Sequence, residues 1–382
     1  MNEADSNFLS QFGHYCQKRF QLSLLAAGLT DLRPQPEIPA RSVVVSLVLG
    51  EVVHIPGFLQ LQEETRLPRW QRWMGYGAPI SHDTFGYVSE RLDPEQLRRA
   101  VRWINRQLKR GKAFEANKIK GLLCVSLDAN EQFCSDHRCC EHCLAREVSC
   151  KNTDGQEVRK TQYYHKQVYA QLSGPQLSVI LDFEPMRQGE EECAAALRLL
   201  RRLRAKYGPR FFDVVVVDSW YARGPFLKEV VEELGWPRGV FGVASALAGW
   251  GTTPRGWPVI AVLKQERYEI HQEALTLSQG KKPDQVVERD SRQVEIGDVR
   301  SLRLSESYDA PVRVVRAREQ WRQRQQQGTE WTRQEKEQNW LWVVAGDLDG
   351  YEGAVIREMG HSRWKIESHA FGQGRILTQS LI

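Results

Sequence analysis

Phe211 to Val217 is an almost continuous apolar run that stops abruptly at Asp218. Such a segment matches a central parallel strand, covered on both faces, better than a half-exposed strand with alternating polarity. A chain that holds such a strand is committed to a layered α/β domain, because helices must cover both faces of its sheet.

The neighbouring segments supply the layers. Leu122 to Leu127 is expected as a strand ending at Asp128, Tyr163 to Leu172 carries alternating and β-branched residues, and Gly174-Pro175 turns the chain into Leu177 to Leu181, ending at Asp182. Three such strands predict an antiparallel meander. Glu190 to Tyr207 then places Ala194, Leu197, Leu200 and Leu203 on one helical stripe, closed by Gly208-Pro209. A helix from Gly224 to Leu234, a strand near Val240 to Val243 and another over Trp257 to Leu263 extend the pattern.

Residues 1–115 are expected to be helical. Asp93-Pro94-Glu95-Gln96 is a helix start with proline at the first helical position, and the helix runs to about Arg110. Leu97, Val101, Ile104 and Leu108 form its apolar stripe, flanked by Arg98, Arg102, Arg106 and Lys109. That flank is either a solvated charged face or a surface that tracks phosphates. Residues 246–337 read as an insertion: Ser278 to Arg300 is polar, and Arg313 to Glu337 is rich in Arg, Gln and Glu with Trp321 and Trp331 embedded. The core resumes in 338–382, with a strand over Trp340 to Ala345 and a helix beginning near Glu352.

Composition excludes several classes. At 382 residues and 41% hydrophobic content the chain can bury a core, and its longest apolar run, Val43 to Val53, is far shorter than the roughly 20 residues of a bilayer span. No secretory signal precedes it, so a cytoplasmic, nucleoid-associated location without membrane contact is expected. The net charge of +5 permits a polyanionic partner. Cys134, Cys140, Cys143 and Cys150, with Cys139, His137 and His142 as alternates, have spacing suited to a structural Zn²⁺ or to free thiols.

The acids carry the chemistry. Asp128 and Asp218 close two core strands, and Glu367 lies on the final helix four residues after Arg363. Carboxylates at neighbouring strand ends, joined by one from a covering helix, suit a pair of divalent cations that activate an attacking oxygen and stabilise a leaving one, and oxygen-only donors favour Mg²⁺ or Mn²⁺. Asp182 is the rival for the first acid, but it belongs to the third strand of the meander.

The stretches Ser126-Leu127-Asp128-Ala129-Asn130-Glu131, Val217-Asp218-Ser219-Trp220-Tyr221-Ala222 and Arg363-Trp364-Lys365-Ile366-Glu367 resemble the three acidic motifs of DDE transposases of the bacterial insertion-sequence type. The resemblance covers roughly residues 120–371. It implies an α/β, RNase H-like mixed sheet flanked by helices, with residues 116–245 as the first part of the catalytic core and 246–337 as a β-rich insertion. It further implies a metal-binding triad of Asp128, Asp218 and Glu367, cut-and-paste transposition on terminal inverted repeats and target DNA, and a homodimer within a synaptic complex. Residues 1–115 would bind DNA ends and contact the dimer partner.

In a large subgroup of that family a tyrosine precedes the glutamate by seven residues, an arginine precedes it by four and a lysine follows by seven; here those positions are Gly360, Arg363 and Gly374. Arg363 would contact a DNA phosphate or pair with Glu367. Trp321 and Trp331 would stack a base pushed out of the duplex or form a small insertion core. Two alternatives stay open: a structure-selective nuclease of the same fold, and a C-terminally truncated, inactive DNA-binding remnant, since only 15 residues follow Glu367 (382 minus 367).

Overall fold

The computed structural model describes residues 3–151, 155–234, 256–264, 269–289, 291–327 and 330–368. The chain divides after Ala113 into two units. The first is helical: α1 Glu3–Phe20, α2 Leu22–Ala27, α3 Ala40–Val52, α4 Phe58–Thr65, α5 Pro68–Met74, α6 His82–Arg91 and α7 Pro94–Arg110. Its core gathers Val43 and Leu49 of α3, Leu61, Trp70, Met74, Ile80, Phe85 and Val88. The apolar run noted in the sequence is thus α3, buried as a core helix. The Asp93 carboxylate caps α7 by accepting from the Glu95 amide at 2.9 Å, with Pro94 in the first turn as expected.

The second unit is built on one mixed sheet of ten strands. The strands are β1 Cys124–Ser135, β2 Leu144–Lys151, β3 Glu157–Ser173, β4 Ser178–Pro185, β5 Val214–Val217, β6 Val259–Val262, β7 Gln285–Arg289, β8 Arg292–Leu302, β9 Val312–Gln327 and β10 Glu330–Ala345. Helix α8 spans Glu192–Tyr207, α9 Gly224–Lys228, α10 Glu269–Ser278 and α11 Gly353–Ser362. Strand β3 lies antiparallel between β1 and β4, whereas β1, β5 and β6 run parallel. The order β4-β3-β1-β5-β6 continues through β10-β9-β8-β7. The predicted meander is therefore present, and the apolar run of 211–217 supplies β5 at the centre of the sheet.

Every residue of β5 is fully buried. Val214 and Val216 join Ile260, Val262, Trp342 and Val344 beneath Val355, Ile356 and Met359 of α11, while Val215 and Val217 point to the opposite face by the alternation of a strand. Helix α8 lays Ala196, Leu199, Leu200 and Leu203 inward and packs on β3 and β4. The expected helix from Gly224 to Leu234 is α9 followed by a π-helical turn over Glu229–Glu233. The strand expected near Val240 to Val243 lies outside the described residues.

One expectation is corrected. Strand β1 does not end at Asp128; it continues to Ser135, pairing with β3 through a register shift between Glu131 and Phe133. The hydrophobic signal stops there because Asn130, Glu131 and Gln132 are half-exposed, yet Asn130 and Glu131 stay paired in the ladder and Gln132 sits at the register shift. The stretch 246–337, read as an insertion, also contributes to the one sheet, and its last strand extends past 337. Strand β6 sits between β5 and β10 in the core, and β10 runs unbroken from the polar stretch into Trp340 to Ala345. The long β9–β10 hairpin accepts charge because exposed partners pair across it, Arg318 with Glu337 at 2.8 Å and Arg322 with Glu335 at 3.2 Å.

Helix α11 begins after Glu352, as expected. It is held to the sheet by Glu319 of β9, a fully buried carboxylate that accepts from Arg292 at 2.8 Å, Arg357 at 2.7 Å and His361 at 2.8 Å. Burial alone would raise the Glu319 carboxyl, but its hydrogen bonds from His361 and Arg292 and the charge of Arg357 outweigh it and hold the group down to about 2.

Gly360 has no room for a side chain: a Cβ there would lie 2.2 Å from Trp342 Nε1. Gly360→Ala is expected to destabilise the second unit by about 1–3 kcal/mol through overpacking. Guanidinium chloride unfolding of wild type and variant measures this, and an unchanged midpoint would contradict the close packing of α11 on β10.

Candidate active site

The three acids lie toward one end of the parallel strand pair, near enough for Asp218 and Glu367 to act electrostatically on Asp128, but their carboxylates are not all within 4.8 Å of one another. Ser126 of β1 stands opposite Val216 of β5, and two residues further along each chain come Asp128 and Asp218. Both side chains therefore leave the same face of adjacent strands, whose backbones lie about 4.8 Å apart. Asp218 follows the last residue of β5 and accepts a hydrogen bond from the Trp220 amide at 2.8 Å, which fixes its rotamer while leaving the carboxylate half-buried.

Glu367 arrives from the other side on a short helical turn, residues 364–368, that follows α11. Four contacts seat the turn. Ile366 is fully buried against Tyr169, the residue paired with Asp128 on β3. Lys365 donates to the Gly174 carbonyl at the β3–β4 turn. Trp364 packs edge-on to Trp340 with centroids 4.6 Å apart. Arg363 donates to Asp128 Oδ2 at 2.6 Å and to Glu367 Oε1 at 2.9 Å.

Arg363 is thus placed differently from a surface phosphate contact. Its side chain is 1% exposed, and its guanidinium bridges the first and third acids. The expected pair with Glu367 exists, but it is half of a larger arrangement in which one cation sits between carboxylates separated by 235 residues of sequence on one side and four on the other.

Burial, together with the neighbouring Asp218 and Glu367 carboxylates, pushes the Asp128 carboxyl up to about 6 against the pull of Arg363. Tyr221 lies fully buried beside this group, and burial raises its phenol, reinforced by Glu192, Asp128 and Asp218. Glu192 in turn pairs with Lys166 at 2.8 Å. Tyr221 and Glu192 were not singled out in the sequence, although Tyr221 falls inside the Asp218 motif. Beside them Trp220 is 46% exposed, with the Arg223 guanidinium 4.3 Å above its ring.

Asp182, the rival first acid, lies elsewhere. It pairs with Arg202 at 2.7 Å in a network of Glu184, Glu190, Arg198 and Arg202 that fastens α8 to β4. Its role there is structural.

The other sequence candidates separate. On α7, Arg98 and Arg102 turn toward Glu95, at 4.0 Å and 3.1 Å, with side chains only 20% and 14% exposed, so they do not form the open basic face expected of them. The helix instead leaves Leu97 and Val101 of its apolar stripe exposed, with Arg106 also at the surface. Trp321 lies beneath the Arg292 guanidinium, 4.4 Å from its ring centre. Trp331 stands in β10 opposite Gln326, and its side chain lies outside the described residues.

The zinc set is also redrawn. Cys134 on β1 pairs with Tyr164, one residue out of step with His165, so its side chain leaves the opposite face of the ladder from the cluster, next to Arg146. Cys150 pairs with Val158 at the far end of β2 and donates to its carbonyl. Cys140 and Cys143 meet His165 of β3 instead.

No known family model matches the chain, and no curated protein matches it at a significant level.

Because the Asp128 carboxyl is raised from 3.8 to about 6, its protonated form is the one that folding favours. This contribution is complete below the unfolded value and is lost as pH climbs to about 6, amounting to about 3 kcal/mol at most. Denaturant unfolding in EDTA is expected to show wild type losing stability relative to Asp128→Asn as pH rises from about 3.5 to 7. A difference between the two proteins that stays constant over that range would contradict the acid cluster.

Proposed function

We propose that this chain is a DNA transposase of the DDE class with an RNase H-like core, in which Asp128, Asp218 and Glu367 form the acidic triad. The observation that carries the reading is their convergence. One acid lies on the first core strand, one at the end of the parallel strand beside it, and one on the helix that closes the sheet, from segments 90 and 149 residues apart (218 minus 128, 367 minus 218). The strand arrangement β4-β3-β1-β5-β6, antiparallel then parallel, supports the fold assignment.

The donor chemistry suits hard divalent cations, with the carboxylates spread more widely than the 4.8 Å of a single-ion cluster. All three side chains offer carboxylate oxygen, and the Asp128 carboxyl is raised chiefly by burial, with smaller contributions from Asp218 and Glu367 against the pull of Arg363. Mg²⁺ or Mn²⁺ held there would supply activation of an attacking oxygen and stabilisation of a leaving one. The chain's own residues do the rest. Asp218 is oriented by the Trp220 amide, and Asp128 and Glu367 are held in register by the two ends of Arg363. Tyr221 and Ile366 exclude water from beneath the group.

In this reading, water first attacks the phosphodiester at the transposon end, freeing a 3′-hydroxyl that then attacks target DNA. Trp220, exposed beside Asp218 and covered on one face by Arg223, is better placed than Trp321 to stack an unpaired base. Duplex DNA would be held as inverted-repeat ends and target by a homodimer, with affinity falling steeply with salt.

A pre-cut inverted-repeat end incubated with target plasmid and Mg²⁺ or Mn²⁺ tests the reading. Wild type is expected to nick and to form joined product. Asp128→Asn, Asp218→Asn and Glu367→Gln should each lose about 1,000-fold or more in rate while still binding the end. Cleavage without joined product would favour a structure-selective nuclease. End binding with no metal-dependent nicking, unchanged by Glu367→Gln, would contradict catalysis and favour an inactive DNA-binding protein.

A further inference from the structure

We infer that Cys140, Cys143 and His165 form a zinc site that clamps the β1–β2 connection onto β3, independent of the acidic triad and of the transposase reading. The three donor atoms form a compact triangle. Cys140 Sγ and Cys143 Sγ are 3.7 Å apart, and His165 Nε2 lies 3.3 Å from the first and 3.2 Å from the second. Zn–S bonds of about 2.3 Å and Zn–N bonds of about 2.0–2.1 Å at tetrahedral angles require separations of about 3.8 Å between sulfurs and about 3.5 Å between sulfur and nitrogen. The triangle is therefore within a few tenths of an ångström of the edges of a zinc tetrahedron.

The backbone of the turn points toward both sulfurs. The Cys140 amide donates to Cys143 Sγ at 3.2 Å and the His142 amide to Cys140 Sγ at 3.4 Å, while the Cys143 amide closes the turn on the Cys140 carbonyl at 3.1 Å. Each sulfur thus receives a backbone amide donor within the turn. Sheet register brings the imidazole to them. Leu144 begins β2 opposite Tyr164 of β3, so Cys143, one residue earlier, falls beside His165, which also stands opposite Phe133 of β1. One ion would then join the loop to the strand between β1 and β2.

Two thiolates and an imidazole suit zinc, a borderline-soft ion, better than the oxygen-seeking cations of the acid triad. Binding replaces two S–H bonds by two Zn–S bonds and releases two protons to solvent, with no change of oxidation state. A water or another side chain of the exposed loop completes the fourth position. Sequence spacing alone gave only Cys140-x-x-Cys143; the third donor comes 22 residues after Cys143 and from a different element.

The full chain, purified under reductant without chelator, is expected to retain one zinc per chain by elemental analysis. The Cys140→Ser/Cys143→Ser double variant should retain none, and the Cys134→Ser/Cys150→Ser double variant should retain it fully. Replacement of zinc by Co²⁺ in the wild-type chain should give the thiolate-to-cobalt absorption of a tetrahedral site with two sulfur ligands, a readout that stands even if the first variant does not fold. Wild type that holds no metal and takes up none when reduced, or zinc retained undiminished by the Cys140→Ser/Cys143→Ser variant, would overturn the inference. So would a cobalt spectrum without thiolate bands.

Discussion

The Arg363 guanidinium is the interaction on which the arrangement of the acids depends. It is almost wholly removed from water, and such a cation is tolerable only with carboxylates at both ends. Asp128 and Glu367 provide them, so the residue that closes the helix also draws the first strand and the last described turn together. Burial is the main reason the Asp128 carboxyl is raised despite Arg363, with Asp218 and Glu367 adding to it. The proposed metal site rests on the three carboxylates being brought to the same region.

The rest of the second unit serves to hold this geometry. The parallel register of β1 and β5 sets Asp128 beside Asp218, and the packing of Val355, Ile356 and Met359 over β5 and β6 sets where α11 ends. Glu319, reaching from β9 to Arg357 and His361, makes the polar hairpin part of the same support. The His361 ring packs with Trp340, Trp342 and Trp364, so the helix continues into the Glu367 turn against a layer of aromatic faces. Gly360 is the residue that lets α11 approach Trp342 this closely.

Much of this was legible in the sequence because local signals agreed with the global fold. Four consecutive valines ending at Asp218 mark a buried strand, and the three strand-like segments before α8 mark the antiparallel meander. Long-range pairing left no such mark. Nothing near Arg363 indicates that Asp128 lies against it, and nothing in the cysteine spacing points to His165. The outer half of β1 and the β9–β10 hairpin were obscured by polar residues that pair across exposed strands. The basic flank of α7 misled because Glu95, one turn before Arg98 and two before Arg102, pairs with both, and their side chains are mostly buried.

The acid triad is tested most directly by Mn²⁺ binding to the full chain, followed by electron paramagnetic resonance without DNA. Wild type should take up Mn²⁺, and Asp218→Asn, which leaves the Arg363 bridge intact, should weaken that uptake by about tenfold or more, the loss expected when one charged ligand is removed. Equal Mn²⁺ affinity in the two proteins would contradict the placement of a divalent cation between Asp128, Asp218 and Glu367.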